Sequence, residues 1–173
     1  MGQKQKSIIW EWIEILGIAI ILALAIKTFL IQPFYIPSGS MEPTLMVGDK
    51  IFVNKLGNFF KEPERGEVIV FRYPLDTSQD FIKRVIGLPG ETIEIRDSVV
   101  YIDDVPLKEN YLPPNLVYPD FQKVLIPDSC YFMMGDNRSN SQDSRVWGPL
   151  SRDLVKGKAV ATFWPVSRIG AIR

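Results

Sequence analysis

The sequence predicts a mainly β protein: a partly barrel-like, antiparallel β domain preceded by one N-terminal transmembrane helix. Three observations predict it. Residues 8–31 form one long apolar stretch, "IIWEWIEILGIAIILALAIKTFLI". After it the texture changes to short runs rich in Val, Ile, Phe and Tyr, punctuated by Gly, Pro, Asn and Asp. No segment beyond Ile31 sustains a 3.6-residue apolar pattern. The 173 residues suffice for one domain with its own core.

The first element is a short polar tail, residues 1–7, carrying Lys4 and Lys6. The apolar stretch follows. At about 1.5 Å per residue, its roughly 24 residues span about 36 Å as a helix, enough to cross a bilayer core. Glu11, Glu14 and Lys27 lie near its ends and can reach the interface. Trp10 and Trp12 suit one headgroup layer; Phe29, Phe34 and Tyr35 suit the other. Nothing from Thr28 to Asp49 is basic, so the flanking lysines put residues 1–7 in the cytoplasm and residues 32–173 on the far side. A cleaved signal peptide is a competing reading, but "KTFLIQPFYIP" offers no small-x-small cleavage site. A buried core helix is another, and an all-round apolar helix at this place is an odd core element.

The strands come next: "KIFVNK", "GEVIVFRY", "DFIKRVIGL", "ETIEIRD", "SVVYIDD", "VLIPDSCYFMMGD" and "GKAVATFWP". They predict about eight to ten short strands. "ENYLPPNLVYPDFQK" reads as a proline-bearing loop or extension. There is no repeat and no low-complexity tract.

Composition excludes several chemistries. Lys+Arg and Asp+Glu are both 20, so no broad basic surface for nucleic acid is expected. One cysteine, Cys130, cannot form an intrachain disulfide or a multi-cysteine zinc site. Histidine is absent, which removes the other common zinc ligand and excludes both Ser-His-Asp and Cys-His catalysis. No metal or cofactor is expected. The remaining candidate bases are carboxylates, tyrosines and lysines.

"IPSGSMEPTL", residues 36–45, holds Ser38 and Ser40 around Gly39, between Pro37 and Pro43. Prolines stiffen the backbone, and Gly39 permits a tight or positive-φ geometry. A rigid hydroxyl beside backbone N–H groups suits nucleophilic attack and oxyanion binding. The same residues also make an ordinary turn. A second serine-rich loop, "MGDNRSNSQDSRVWGPL", covers residues 134–150. It reads as a solvated loop or as a loop braced by Asp143 and Arg145 to position one hydroxyl. A calcium loop fits poorly, because the twelfth position from Asp136 is Trp147. A lysine base must be neutral, which near pH 7–8 needs a pKa drop of roughly three units, about 4 kcal/mol. Apolar burial supplies such a drop. In "FIKRVIGLPG", Phe81, Lys83 and Val85 share one strand face. Arg84, flanked by Ile82 and Ile86, and Lys50, before another apolar strand, are not separated from Lys83 by periodicity.

Together these stretches resemble the type I signal peptidases, or leader peptidases, the membrane-anchored Ser/Lys proteases of bacteria. "PSGSMEPTL" resembles the nucleophile segment, "GDKIFVNK" the next strand, "IKRVIGLPG" the lysine strand and "GDNRSNSQDSR" the last signature. The resemblance implies Ser40 as nucleophile and Lys83 as general base. It implies that Ser38 lends its hydroxyl to an oxyanion hole with the Ser40 backbone N–H. Ser141 would hydrogen-bond and orient the Lys83 amine, and Asp143 and Arg145 would brace that loop. Ile36, Pro37, Phe81 and Ile82 would line shallow apolar pockets for small side chains at the first and third positions before the cut. The implied partners are exported preproteins and the lipid bilayer, and the implied location is the outer face of a bacterial plasma membrane. One span, and no large insertion between strands, matches the compact form of the family.

Ser40 lies about nine residues past Ile31, so it stays within about 30 Å of the bilayer. A precursor anchored by its own apolar helix meets it at raised effective concentration. Phe59-Phe60 and the aromatics after the span read either as a lipid-resting patch or as core residues. Two other readings stand beside this one: a Ser/Lys protease with another substrate, of the self-cleaving regulator kind, and a non-catalytic membrane-tethered β domain.

Overall fold

The computed structural model describes residues 8–29, 31–55 and 61–172, with the side chains of the first segment described from Trp10 to Ile20. The tail at 1–7, the Phe59-Phe60 pair, and the side chains of Lys27 and Phe29 lie outside the described residues. Helix α1 spans Ile8–Phe29, and its described side chains are all exposed. Among the described residues no helix is long and apolar enough to cross a membrane.

The expected anchor ran to Ile31. The helix instead ends at Phe29, and Ile31 opens β1 (Ile31–Tyr35), paired antiparallel with β2 (Lys50–Asn54). Pro33 sits in this strand without penalty because β1 is at a sheet edge, where one side needs no donor. Phe34, expected at a headgroup layer, is half-buried against the core, while Tyr35 is exposed.

Twelve strands appear among the described residues, more than expected, because three are two-residue pairings. The others are β3 (Val68–Tyr73), β4 (Asp76–Gly87), β5 (Thr92–Arg96), β6 (Val99–Ile102), β7 (Val105–Pro106), β8 (Phe121–Leu125), β9 (Cys130–Met134), β10 (Leu150–Ser151), β11 (Val155–Trp164) and β12 (Gly170–Ala171). They form two antiparallel sheets. One has eight strands in the order β1-β2-β11-β3-β4-β9-β10, with β12 on β11; the other has the order β7-β6-β5-β8. Both are open paths, so the described pairings do not close the expected barrel-like element. The run "VLIPDSCYFMMGD" is not one strand. A turn at Pro127 with Ser129 at φ 60° splits it between the two sheets, β8 in one and β9 in the other.

Burial alternates as strand geometry requires. In β3, Val68 and Val70 enter one core cluster with Ile36, Met41, Leu45, Ile51 and Val53. Ile69 and Phe71 enter another on the opposite face, with Val85, Tyr131, Met133 and Leu150. β3 is thus buried on both faces, which explains its unbroken apolar run. The third cluster joins the two sheets: Ile93, Ile95 and Val100 of the smaller sheet meet Ile86, Phe132 and Met134 of the larger. Tight hairpins at Asp97-Ser98 and Asp103-Asp104, all four with positive φ, order the smaller sheet. Among the described residues one further α-helix, α2 (Ser144–Trp147), follows β9.

Candidate active site

Two loops meet beside β4. The first runs from Ile36 to Asp49. Its ends are tied by Ile36 N–H donating to Asp49 O (2.9 Å) and Gly48 N–H to Ile36 O (2.9 Å). Between them, Gly39–Met41 form a 3-10 turn, and fully buried Met41 and Leu45 root it in the core. Ser40 therefore rides on a short, anchored turn. Gly39 does not take the positive φ the sequence allowed for. A Cβ there would lie 2.9 Å from the Glu42 carboxylate, so the glycine provides room rather than handedness.

β4 brings Lys83 to Ser40. Lys83 Nζ donates to Ser40 Oγ at 2.8 Å and to Ile82 O at 2.9 Å. The residue is 4% exposed, and its amine stands 5.3 Å from the Phe81 ring centroid. Burial pushes its pKa down from 10.5 to about 8, partly opposed by the carboxylates of Asp143 and Asp136. No carboxylate among the described residues lies within ion-pair distance of it. The structure thus separates the cations that periodicity could not. Lys50 is exposed. Arg84 is 1% exposed but points elsewhere, bidentate to Asp136 at 2.8 and 2.6 Å, with its guanidinium 3.9 Å over Tyr111.

The second loop, residues 134–148, carries the other expected residues. Asp143 caps α2 and is fully buried; its oxygens accept from Arg145 Nε (2.8 Å) and Nη2 (2.7 Å) and from Gly135 N–H (3.1 Å). Arg145 Nη2 also donates to Arg138 O at 2.8 Å. Ser141 departs from expectation. Its Oγ is buried without a hydrogen-bond partner, so the expected bond to Lys83 is not made. It lies instead over Gly135, where an added Cβ would come within 2.3 Å of Ser141 Oγ and 2.4 Å of Ser40 O. Only a residue without a side chain lets these loops approach so closely.

Several residues that hold the loops together carry no signal in a lone sequence. Thr44 Oγ1 donates to Asp136 Oδ2 at 2.5 Å, joining the nucleophile loop to the Arg84 pair. Asn137 donates from its backbone to Ser40 O (3.1 Å) and from its side chain to Gly39 O (3.0 Å). Arg138 Nε donates to Gly135 O at 3.1 Å, while its guanidinium pairs with Glu109 and donates to Tyr118 Oη at 3.0 Å. The stretch from Glu109, expected as a mere extension, thus supplies the partners of a buried arginine. The one available hint was the unusual density of charged and amide residues in "GDNRSNSQDSR".

Ser38, Ser40 and Lys83 open onto a groove of about 410 Å³, whose rim includes Gln79, Asn140 and Gln142. Ser38 is exposed and its hydroxyl is not used to cap the turn. A smaller cavity of about 30 Å³ adjoins it, and Ile36, Pro37, Phe81 and Ile82 all line that cavity. Three of these four, Pro37, Phe81 and Ile82, also line the groove. Tyr73 stacks on Phe81 at 4.3 Å and stiffens this wall. The arrangement offers a hydroxyl, an amine able to shed its proton, and a trough beside both.

Comparison with known proteins gives a consistent answer. Residues 9–164 match the family described as signal peptidase, peptidase S26. The signal peptidase I of Leptolyngbya laminosa is 42% identical over 179 residues, covering 98% of this chain and 86% of that protein. A signal peptidase I of Bacillus amyloliquefaciens is 37% identical, covering 94% of this chain and 89% of its own length. Signal peptidase I T of Bacillus subtilis is 36% identical, covering 97% and 92%.

Proposed function

The chain belongs to the signal peptidase family, peptidase S26, and is a serine endopeptidase that cleaves signal peptides from preproteins; from that premise we propose that Ser40 and Lys83 carry the chemistry. The observation that supports this most is the 2.8 Å contact between Ser40 Oγ and the amine of buried Lys83. When the amine is neutral, the same contact reverses and the hydroxyl donates to nitrogen. Lys83 takes that proton as Ser40 Oγ attacks the scissile carbonyl. The resulting oxyanion is held by the Ser40 N–H and the Ser38 hydroxyl. Lys83 then returns the proton to the leaving amine, which departs as the new N-terminus of the mature protein. The acyl ester on Ser40 is hydrolysed by water, with Lys83 again as base.

Asp143 and Arg145 hold the second loop. Ile36, Pro37, Phe81 and Ile82 favour small side chains at the first and third positions before the cut, since they line the small, mainly apolar cavity beside the groove. Residues 8–29 anchor the protein in a bacterial plasma membrane as a single span, with the tail at 1–7 in the cytoplasm and the domain from 32 onward on the outer face. The apolar sequence of 8–31 and the flanking lysines support this reading.

The test is cleavage of a precursor with a small-x-small site by the full chain in detergent. Ser40→Ala and Lys83→Met should each lose at least about a thousandfold in kcat. Lys83→Arg should be equally inactive, because a guanidinium stays charged. The wild-type rate should rise with pH through an apparent pKa near 8, far below that of free lysine. Full activity in Ser40→Ala, or in Lys83→Arg, would overturn the assignment.

A further inference from the structure

Both peptide groups that flank Ser40 are gripped by the same residue. The carbonyl before it, Gly39 O, accepts from the Asn137 side chain at 3.0 Å and from Glu42 N–H at 3.2 Å. The carbonyl after it, Ser40 O, accepts from Asn137 N–H at 3.1 Å. The first grip has a geometric consequence. A trans peptide is planar, and its C=O and N–H point in opposite directions. Gly39 C=O and Ser40 N–H belong to one such plane. Holding the carbonyl on one side therefore aims the N–H to the other. The partner of the Asn137 side chain is a carbonyl, which only accepts, so the amide must present its NH₂ there.

We propose that Asn137 is a positioning residue, fixing the Gly39–Ser40 peptide plane so that the Ser40 N–H meets the developing oxyanion; this rests on the reading of Ser40 as nucleophile given above. Preorganised donors stabilise charge because they need not turn when it forms. Asn137 touches no substrate. It acts through the nucleophile's own backbone, from a loop nearly a hundred residues away in sequence.

Three predictions follow from acting on the oxyanion alone. Asn137→Ala removes the side-chain donor and leaves the backbone donor in place. Asn137→Asp has the same shape and turns an oxygen toward the Gly39 carbonyl; it carries the test should the alanine variant fail to fold. Each should lower kcat by about tenfold to a hundredfold with KM within about twofold, as expected for an interaction made in the transition state. A small-x-small peptide aldehyde reports the oxyanion directly: Ser40 Oγ bonds to its carbon, the hydroxyl proton passes to Lys83, and the carbonyl oxygen becomes the anion. Its affinity should fall by the same factor as kcat, while that of the corresponding peptide amide, which forms no adduct, stays unchanged. The rise of rate with pH should remain centred near 8, since the Lys83 pocket is untouched.

If both variants keep kcat within about twofold of wild type, or lose affinity for aldehyde and amide alike, the inference fails. Ser40→Ala, run alongside, separates this from failure of the parent reading. An inactive Ser40→Ala with a fully active Asn137→Ala sinks the inference alone; an active Ser40→Ala sinks both.

Discussion

Lys83 is a residue whose charge works against the fold. Its amine titrates near 8 in the native protein and near 10.5 when unfolded, because burial disfavours the ammonium. Above both values the group is neutral in each state and costs nothing. Between them the unfolded chain binds more protons, so stability rises with pH; below about 8 the full penalty stands, about 3 kcal/mol. Lys83→Met should therefore stabilise the protein by about 2–3 kcal/mol more at pH 6.5 than at pH 10.5. Urea unfolding of the full chain in micelles at the two pH values measures the difference. A gain independent of pH would contradict the burial argument. This residue was half-legible in the sequence: an apolar strand face bearing a lysine could be read, but not which of two neighbouring cations faced the serine. Arg84 is turned away by Asp136, a partner 52 positions downstream, and strand period knows nothing of it.

At the scale of elements, what could be read depended on whether neighbours were local. β2, β3, β5 and β6 follow from short runs rich in β-branched and aromatic residues between turn signals. β1 was hidden because an apolar stretch runs straight into it and Pro33 looks like a breaker, which an edge strand tolerates. The meeting of the two loops was not legible, because it turns on a missing Cβ. Gly135→Ala would drive a methyl group into the Ser40 carbonyl, a backbone atom that cannot swing aside. The expected outcome is a loss of about 1–3 kcal/mol in stability and at least a tenfold fall in kcat as the nucleophile is displaced. Gly170→Ala, where an added Cβ meets nothing within 4 Å, is the control and should match wild type in both thermal unfolding and cleavage rate.

At the scale of the whole molecule, the site sits where the larger sheet, the smaller sheet and the nucleophile loop converge. Asp136 pairs with Arg84 of the larger sheet and accepts from Thr44 of the nucleophile loop, and Arg138 and Glu109 lock the second loop to the smaller sheet's side. Sequence order hides this, since such pairs span from 29 to 92 residues. The proposed anchor makes its own prediction here. In right-side-out membrane vesicles, added protease should digest the domain from residue 32 onward; in inverted vesicles it should survive intact. The opposite pattern would reverse the orientation. One consequence follows from the trough of about 410 Å³ beside the lysine. A peptide lying along it covers the amine and drives out solvent that favours the ammonium. Occupation of the trough thus tunes the very base that acts on its occupant, while an empty trough leaves the amine more often cationic.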